Sequence, residues 1–162
     1  MAQTQDADVA APGNEEAVRA WDTVLYERWK KNRKVFVGAL DEVTDEAFAL
    51  YPPPQGGRCM DIGCGFGETT RQMAGLVGPE GFALGTDSSP RFIEDALREA
   101  AEAGAENVEF EAVDTQAACS FRTEFRHHLE HNLRVLVAFS YPIGLLTGSR
   151  SDHECDGQQA NT

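Results

Sequence analysis

Residues 59–67 read Cys59-Met60-Asp61-Ile62-Gly63-Cys64-Gly65-Phe66-Gly67. Residues 58–62 suit a short buried strand. The glycines after it let the backbone turn sharply and approach a ligand without Cβ contacts. Residues 68–77 then read as a helix, closed by Gly78-Pro79-Glu80-Gly81. A loop between a strand and a helix lies at the carboxyl end of the strand, where open α/β sheets bind their ligands. The helix that follows presents unpaired N–H groups from Glu68, Thr69 and Thr70.

Working outward, residues 82–86 suit a second strand. Ser89 offers an N-cap oxygen and Pro90 suits the first helical position. Phe92, Ile93, Ala96, Leu97 and Ala100 mark one helix face, and Gly104 ends that helix. Residues 107–113 form a third strand, with Val108, Phe110 and Ala112 alternating against Glu109 and Glu111. Strand–helix–strand–helix–strand implies parallel strands with right-handed crossovers. Upstream, Val18, Trp21, Leu25 and Trp29 recur at helical spacing, and a second helix is expected over about 34–50. Tyr51-Pro52-Pro53-Pro54-Gln55-Gly56-Gly57 breaks it, because proline lacks an N–H and fixes φ. The expectation is an α/β fold: a Rossmann-like parallel sheet, incomplete at three to four strands, with an N-terminal helical cap over 15–51. The sheet domain would span 58–140, and residues 1–14 and 143–162 are expected to be disordered tails.

Ligand type follows from glycine spacing. Dinucleotide loops carry glycine at the first, third and sixth positions. Here glycine holds the first, third and fifth positions from Gly63, and Glu68 stands sixth. A carboxylate at a helix N-terminus repels an approaching pyrophosphate. No Gly-Lys-Ser/Thr follows either. A phosphate-free ligand fits better, and a nicotinamide-dependent dehydrogenase is disfavoured.

Three segments in this order resemble the class I S-adenosylmethionine-dependent methyltransferases: 60–67 (Met-Asp-Ile-Gly-Cys-Gly-Phe-Gly), 84–89 (Leu-Gly-Thr-Asp-Ser-Ser) and 108–114 (Val-Glu-Phe-Glu-Ala-Val-Asp). The resemblance covers about 15–116 and implies S-adenosyl-L-methionine as cofactor. It places Asp61 near the methionine end. Gly63, Cys64, Gly65 and Gly67 would form the cofactor loop. Asp87 would accept the ribose hydroxyls, for which two carboxylate oxygens suffice. Ser88 would pack against the adenosine, Asp114 would take the adenine amino group, and Thr115 and Gln116 would meet the adenine edge. The helices over about 15–50 look like the family's cap. The implied activity is in-line methyl transfer to a small molecule, with no catalytic residue identifiable.

Charge narrows the partners. Asp and Glu outnumber Lys and Arg by 27 to 14, giving a net charge of −13. Polyanion binding depends on displacing counterions with cations, so neither nucleic acid nor an anionic membrane surface is expected. There is no basic start followed by an apolar run, so no signal peptide is read and a cytoplasmic location is expected. Cys59, Cys64, Cys119 and Cys155 show no scaffold pattern and should be reduced thiols. Cys59 and Cys64 lie too far apart for a zinc pair. His127 and His131 would share a helix face but lack an evident third ligand, so no metal is expected.

The family pattern fades after Gln116. Residues 134–139 suit a fourth strand. No Pro-Gly-Gly segment or closing hairpin follows, and Ser140-Tyr141 does not form the family's Asn/Asp-Pro-Pro-aromatic motif. The expectation is a domain truncated, divergent or frame-shifted beyond that point. Its open sheet edge would invite a homodimer. The rival expectation is a non-catalytic S-adenosylmethionine-binding fragment or regulatory partner without the acceptor half.

Overall fold

A computed structural model of the chain describes residue 10, residues 12–114 and the backbone of residues 137–139. The expectations for Thr115, Gln116, Cys119, His127, His131, Ser140, Tyr141 and Cys155, and for residues 1–9 and 143–162 as tails, lie outside the described residues.

The core alternates strand and helix as the pattern predicts. Its elements are β1 (Arg58–Ile62), α3 (Glu68–Val77), β2 (Phe82–Asp87), α4 (Pro90–Ala103) and β3 (Val108–Ala112). A short β4 (Val137–Phe139) joins the far side of β1, so the parallel sheet has the order β3-β2-β1-β4. The strand-end carboxylates therefore fall on neighbouring strands, Asp61 on β1, Asp87 on β2 and Asp114 just past β3. Expected bounds shift slightly: β2 takes in Asp87, and β3 is shorter than 107–113.

Register explains which side chains meet the helices. Cys59 lies opposite Ala83, Asp61 opposite Gly85, and Gly85 opposite Phe110. Cys59 and Ala83 join Phe48, Met73, Ala74 and Val77 in a buried cluster, with Leu76 and Val108 packed on it. The Phe110 ring fills the space over Gly85 and Gly67: a Cβ added at either would lie 2.6 Å from it. At Gly67 the backbone is also left-handed, with φ of 76°. Glu109 and Glu111 are exposed, as the alternation requires.

The N-terminal helices depart from the expected pair. They form one continuous rod: α1 (Glu15–Ala20), a wider π turn (Trp21–Leu25) and α2 (Tyr26–Leu50). A π turn inserts one residue into the helical repeat. Of the expected face Val18–Trp21–Leu25–Trp29, three residues still share one side, and only Leu25 gives way to its neighbour. Tyr26 is the buried residue, while Leu25 is only half-buried. Tyr26 packs with Phe66 and Phe92, and Trp21 and Trp29 lie against that cluster. No helix among the described residues is long and apolar enough to cross a membrane.

Candidate functional site

A cleft of about 420 Å³ lies between the rod and the carboxyl ends of β1, β2 and β3. That is within the range of about 300–1,000 Å³ typical of small-molecule sites. From the sheet side come Gly63, Cys64, Gly65, Asp87, Ser88 and Asp114; from the rod come Asn14, Val18, Trp21, Trp29, Val37 and Leu40. Six of the residues expected from sequence thus share one cavity wall. Asp61 and Gly67 do not line it. Gly67 instead makes room for Phe110.

The loop takes its shape from three left-handed glycines, with φ of 74° at Gly63, 54° at Gly65 and 76° at Gly67. The N–H groups of Gly63 and Cys64 both donate to Thr86 O, at 2.8 and 2.9 Å. A Cβ at Gly63 would meet no atom within 4 Å. The space beside that backbone is open, which fits a ligand lying along the loop. Cys64 is buried beside Asp61 and Asp87, and burial with these charges holds its thiol well above the usual range. It has no thiolate character and acts as a small filler.

Asp87 is engaged on both oxygens. Oδ2 accepts from Gly65 N at 3.0 Å and Oδ1 from Ser89 N at 2.9 Å. The helix cap is Ser89, whose Oγ accepts from Phe92 N. Burial raises the Asp87 carboxyl, partly offset by these backbone donors. Asp61 is fully buried; its Oδ2 accepts from Thr70 Oγ1 at 2.7 Å, while Oδ1 has no partner. Burial pushes its pKa up to about 7, and the charges of Asp87 and Glu68 add to the shift. Asp114 is buried and accepts from the Asn14 amide at 2.6 Å, which ties the start of the rod to the end of β3.

A polar ladder, absent from the sequence reading, fixes the rod. Asp22 Oδ1 accepts from Ser89 Oγ at 2.7 Å and from Arg91 N at 3.0 Å. Asp95 accepts from the Tyr26 hydroxyl at 2.6 Å and from Lys30 at 2.9 Å. Arg33 grips Glu99 with two nitrogens, at 2.5 and 2.6 Å, and reaches Glu68 as well. Glu68 is therefore an ion-paired carboxylate, not the lone charge read from sequence. The rungs climb in the same direction, so α2 and α4 run parallel here. One sequence signal was available: five of the chain's 14 basic residues fall within 28–34, in an otherwise acidic chain. Such a cluster calls for acidic partners.

Residues 54–124 match the family described as a methyltransferase domain. Those 71 residues, under half of the chain, are similar to that family. A curated relative, the aklanonic acid methyltransferase of Streptomyces sp. (strain C5), is 39% identical over 67 residues, or 41% of this chain and 30% of the relative. The chain thus spans under a third of that relative. Among solved structures, a SAM-dependent methyltransferase from Aquifex aeolicus matches at a TM-score of 0.42 and 20% identity, over 44% of this chain and 38% of the other. Coclaurine N-methyltransferase bound to N-methylheliamine and SAH gives 0.43 and 22%, over 45% and 21%. The [4+2]-cyclase SpnF gives 0.41 and 27%, over 46% and 27%. The group to test against this site is S-adenosyl-L-methionine, the cofactor expected from the sequence. The open space at Gly63 and the carboxylates Asp87 and Asp114 at adjacent strand ends fit that group; Asp61, buried and outside the cleft lining, makes no contact with it.

Proposed function

We propose that the chain binds S-adenosylmethionine along the 63–67 loop and transfers its methyl group to a small molecule under the rod. The observation that carries this reading is the single cleft shared by the loop, Asp87, Asp114 and the tryptophans of the rod. Asp87 would hold the ribose hydroxyls and Asp114 the adenine amino group; Asp61, which does not line the cleft, would act on the positive methionine end only through its charge. The cofactor supplies an electrophilic methyl group on a sulfonium.

The protein's part is positioning and exclusion of water. Methyl transfer is an in-line displacement, so alignment of the acceptor atom contributes most of the rate. Val18, Trp21, Trp29, Val37 and Leu40 give the acceptor side of the cleft an apolar, aromatic wall. That wall suits a flat, largely apolar acceptor better than a highly charged one. The relative named for aklanonic acid supports a small-molecule acceptor. No lining residue is assigned as a general base, and the acceptor's own nucleophile would suffice.

The test is calorimetric titration of the folded protein with S-adenosylhomocysteine and, separately, with NAD. Binding of the first and not the second is expected. Preferential NAD binding would overturn the assignment. Transfer of labelled methyl to extract small molecules then separates an enzyme from a non-catalytic cofactor-binding partner.

A further inference from the structure

Arg33 stands outside the cleft, yet it touches three parts of the structure that shape it. Its guanidinium lies 4.3 Å from the centroid of the Phe66 ring. Its Nε donates to Glu68 Oε1 at 2.6 Å, and its two terminal nitrogens fork onto Glu99. Phe66 is the residue between the left-handed Gly65 and Gly67. It is 3% exposed and packs edge-on against Phe92 with centroids 4.8 Å apart. Glu68 begins α3 and lines the cleft. Arg71 completes the set: it donates to Phe66 O at 2.8 Å and to Glu99 Oε2 at 3.2 Å. The loop is thus held from inside by Asp87 at Gly65 N and from outside by Arg33 at Phe66 and Glu68.

From this geometry we propose that Arg33 is a positioning residue for cofactor binding, acting through Phe66 and Glu68 to keep the glycine loop in its ligand-ready shape. The inference rests on the cofactor reading above. Only a planar fork can stack on a ring and reach two carboxylates at once. Lysine, a point charge on a flexible stem, can keep one ion pair but not the stack and the fork together. Arg33 also neutralises Glu68, so that the cleft does not present an uncompensated carboxylate at the helix start.

The experiment compares wild type, Arg33→Lys, Phe66→Leu and, as a control, Tyr26→Phe. Tyr26→Phe removes a ladder hydroxyl and keeps its ring, so it loosens the rod without touching Arg33. S-adenosylhomocysteine affinity is measured by calorimetry, and exchange of the amides of residues 63–67 by hydrogen–deuterium methods, at a temperature where all four are folded. Arg33→Lys is expected to weaken binding about 5- to 20-fold and to speed loop exchange. Phe66→Leu should do the same. Tyr26→Phe should lower the melting temperature while leaving affinity within twofold. Should Arg33→Lys not fold, Glu99→Gln, which removes the fork's partner outside the cleft, carries the test. Unchanged affinity and loop exchange in the loop variants, or an equal loss in Tyr26→Phe, would overturn the positioning role. Absence of binding by folded wild type would instead overturn the cofactor reading, and this inference with it.

Discussion

Asp87 Oδ2 accepts the Gly65 N–H at 3.0 Å, so the end of β2 and the glycine loop brace each other before any ligand enters. The same carboxylate would then accept ribose hydroxyls with its remaining lone pairs. Replacing it removes a ligand contact and a loop support together. Hydrogen bonds to charged groups contribute about 1.5–3 kcal/mol each. Asp87→Ala is expected to weaken S-adenosylhomocysteine binding by at least about tenfold in calorimetry. An affinity equal to wild type would remove Asp87 from the site.

Asp61 gives a pH signature. Its folded pKa is about 7, against about 3.9 in an unfolded chain. Between those values the folded state binds more protons than the unfolded state, so stability falls as pH rises. The contribution is fully present below about pH 4 and is lost as pH passes through 7. Asp61→Asn keeps the shape without the titration. Urea unfolding of the ligand-free protein at several pH values should show a downward slope that is shallower in the variant. Parallel curves would mean that Asp61 does not titrate in that window.

Gly85 has an extended neighbour on each side, yet it leaves no room for a side chain. A Cβ there would lie 2.6 Å from the Phe110 ring and 2.8 Å from Thr70 Oγ1, the hydroxyl that donates to Asp61. Overpacking of this kind typically costs about 1–3 kcal/mol. Gly85→Ala should lower stability by that amount in chemical denaturation, and Phe110→Leu in the same chain should recover part of it. A Gly85→Ala protein as stable as wild type would contradict the close packing.

Asp95 behaves oppositely to Asp61. Burial pushes it up, but hydrogen bonds from Tyr26, Lys30 and Arg98 outweigh this and bring it down to about 2. Its stabilising contribution is present above the unfolded value of about 3.9 and is lost as pH falls through 2. Asp95→Asn is expected to lower the melting temperature at pH 7 and to have less effect near pH 2. The Tyr26 hydroxyl accounts for about 1 kcal/mol of this. Lys30 and Arg98 are half-exposed and rehydrate at little cost. An equal loss at both pH values would count against this account.

The sheet and the glycine loop were legible because they are encoded locally. Gly63, Gly65 and Gly67 sit between a period-two segment and a period-3.6 segment, and Ser89-Pro90 announces its helix. The continuity of residues 15–50 was not legible. A π turn at Trp21–Leu25 leaves no compositional mark, and it moved burial from Leu25 to Tyr26. Partners such as Arg33 with Glu68, and Asn14 with Asp114, lie far apart in sequence, so no periodicity joins them. Thr70 escaped notice because its hydroxyl serves a carboxylate nine residues earlier, across the loop. The basic cluster within 28–34 was the only trace of the ladder.

That ladder also sets an order of assembly. Its rungs join residues 65 to 69 positions apart. A growing chain releases residues 15–50 first, and their acidic partners on α4 emerge only after two strands and a helix have followed. Until then the rod has no Asp95 or Glu99 to hold, and Trp21 and Trp29 face water. Closing so long a loop costs entropy that only a preformed β1–α3–β2–α4 unit can offset. Docking of the rod is therefore expected as a late folding event, and a nascent chain halted before residue 95 should expose its tryptophans to solvent quenchers.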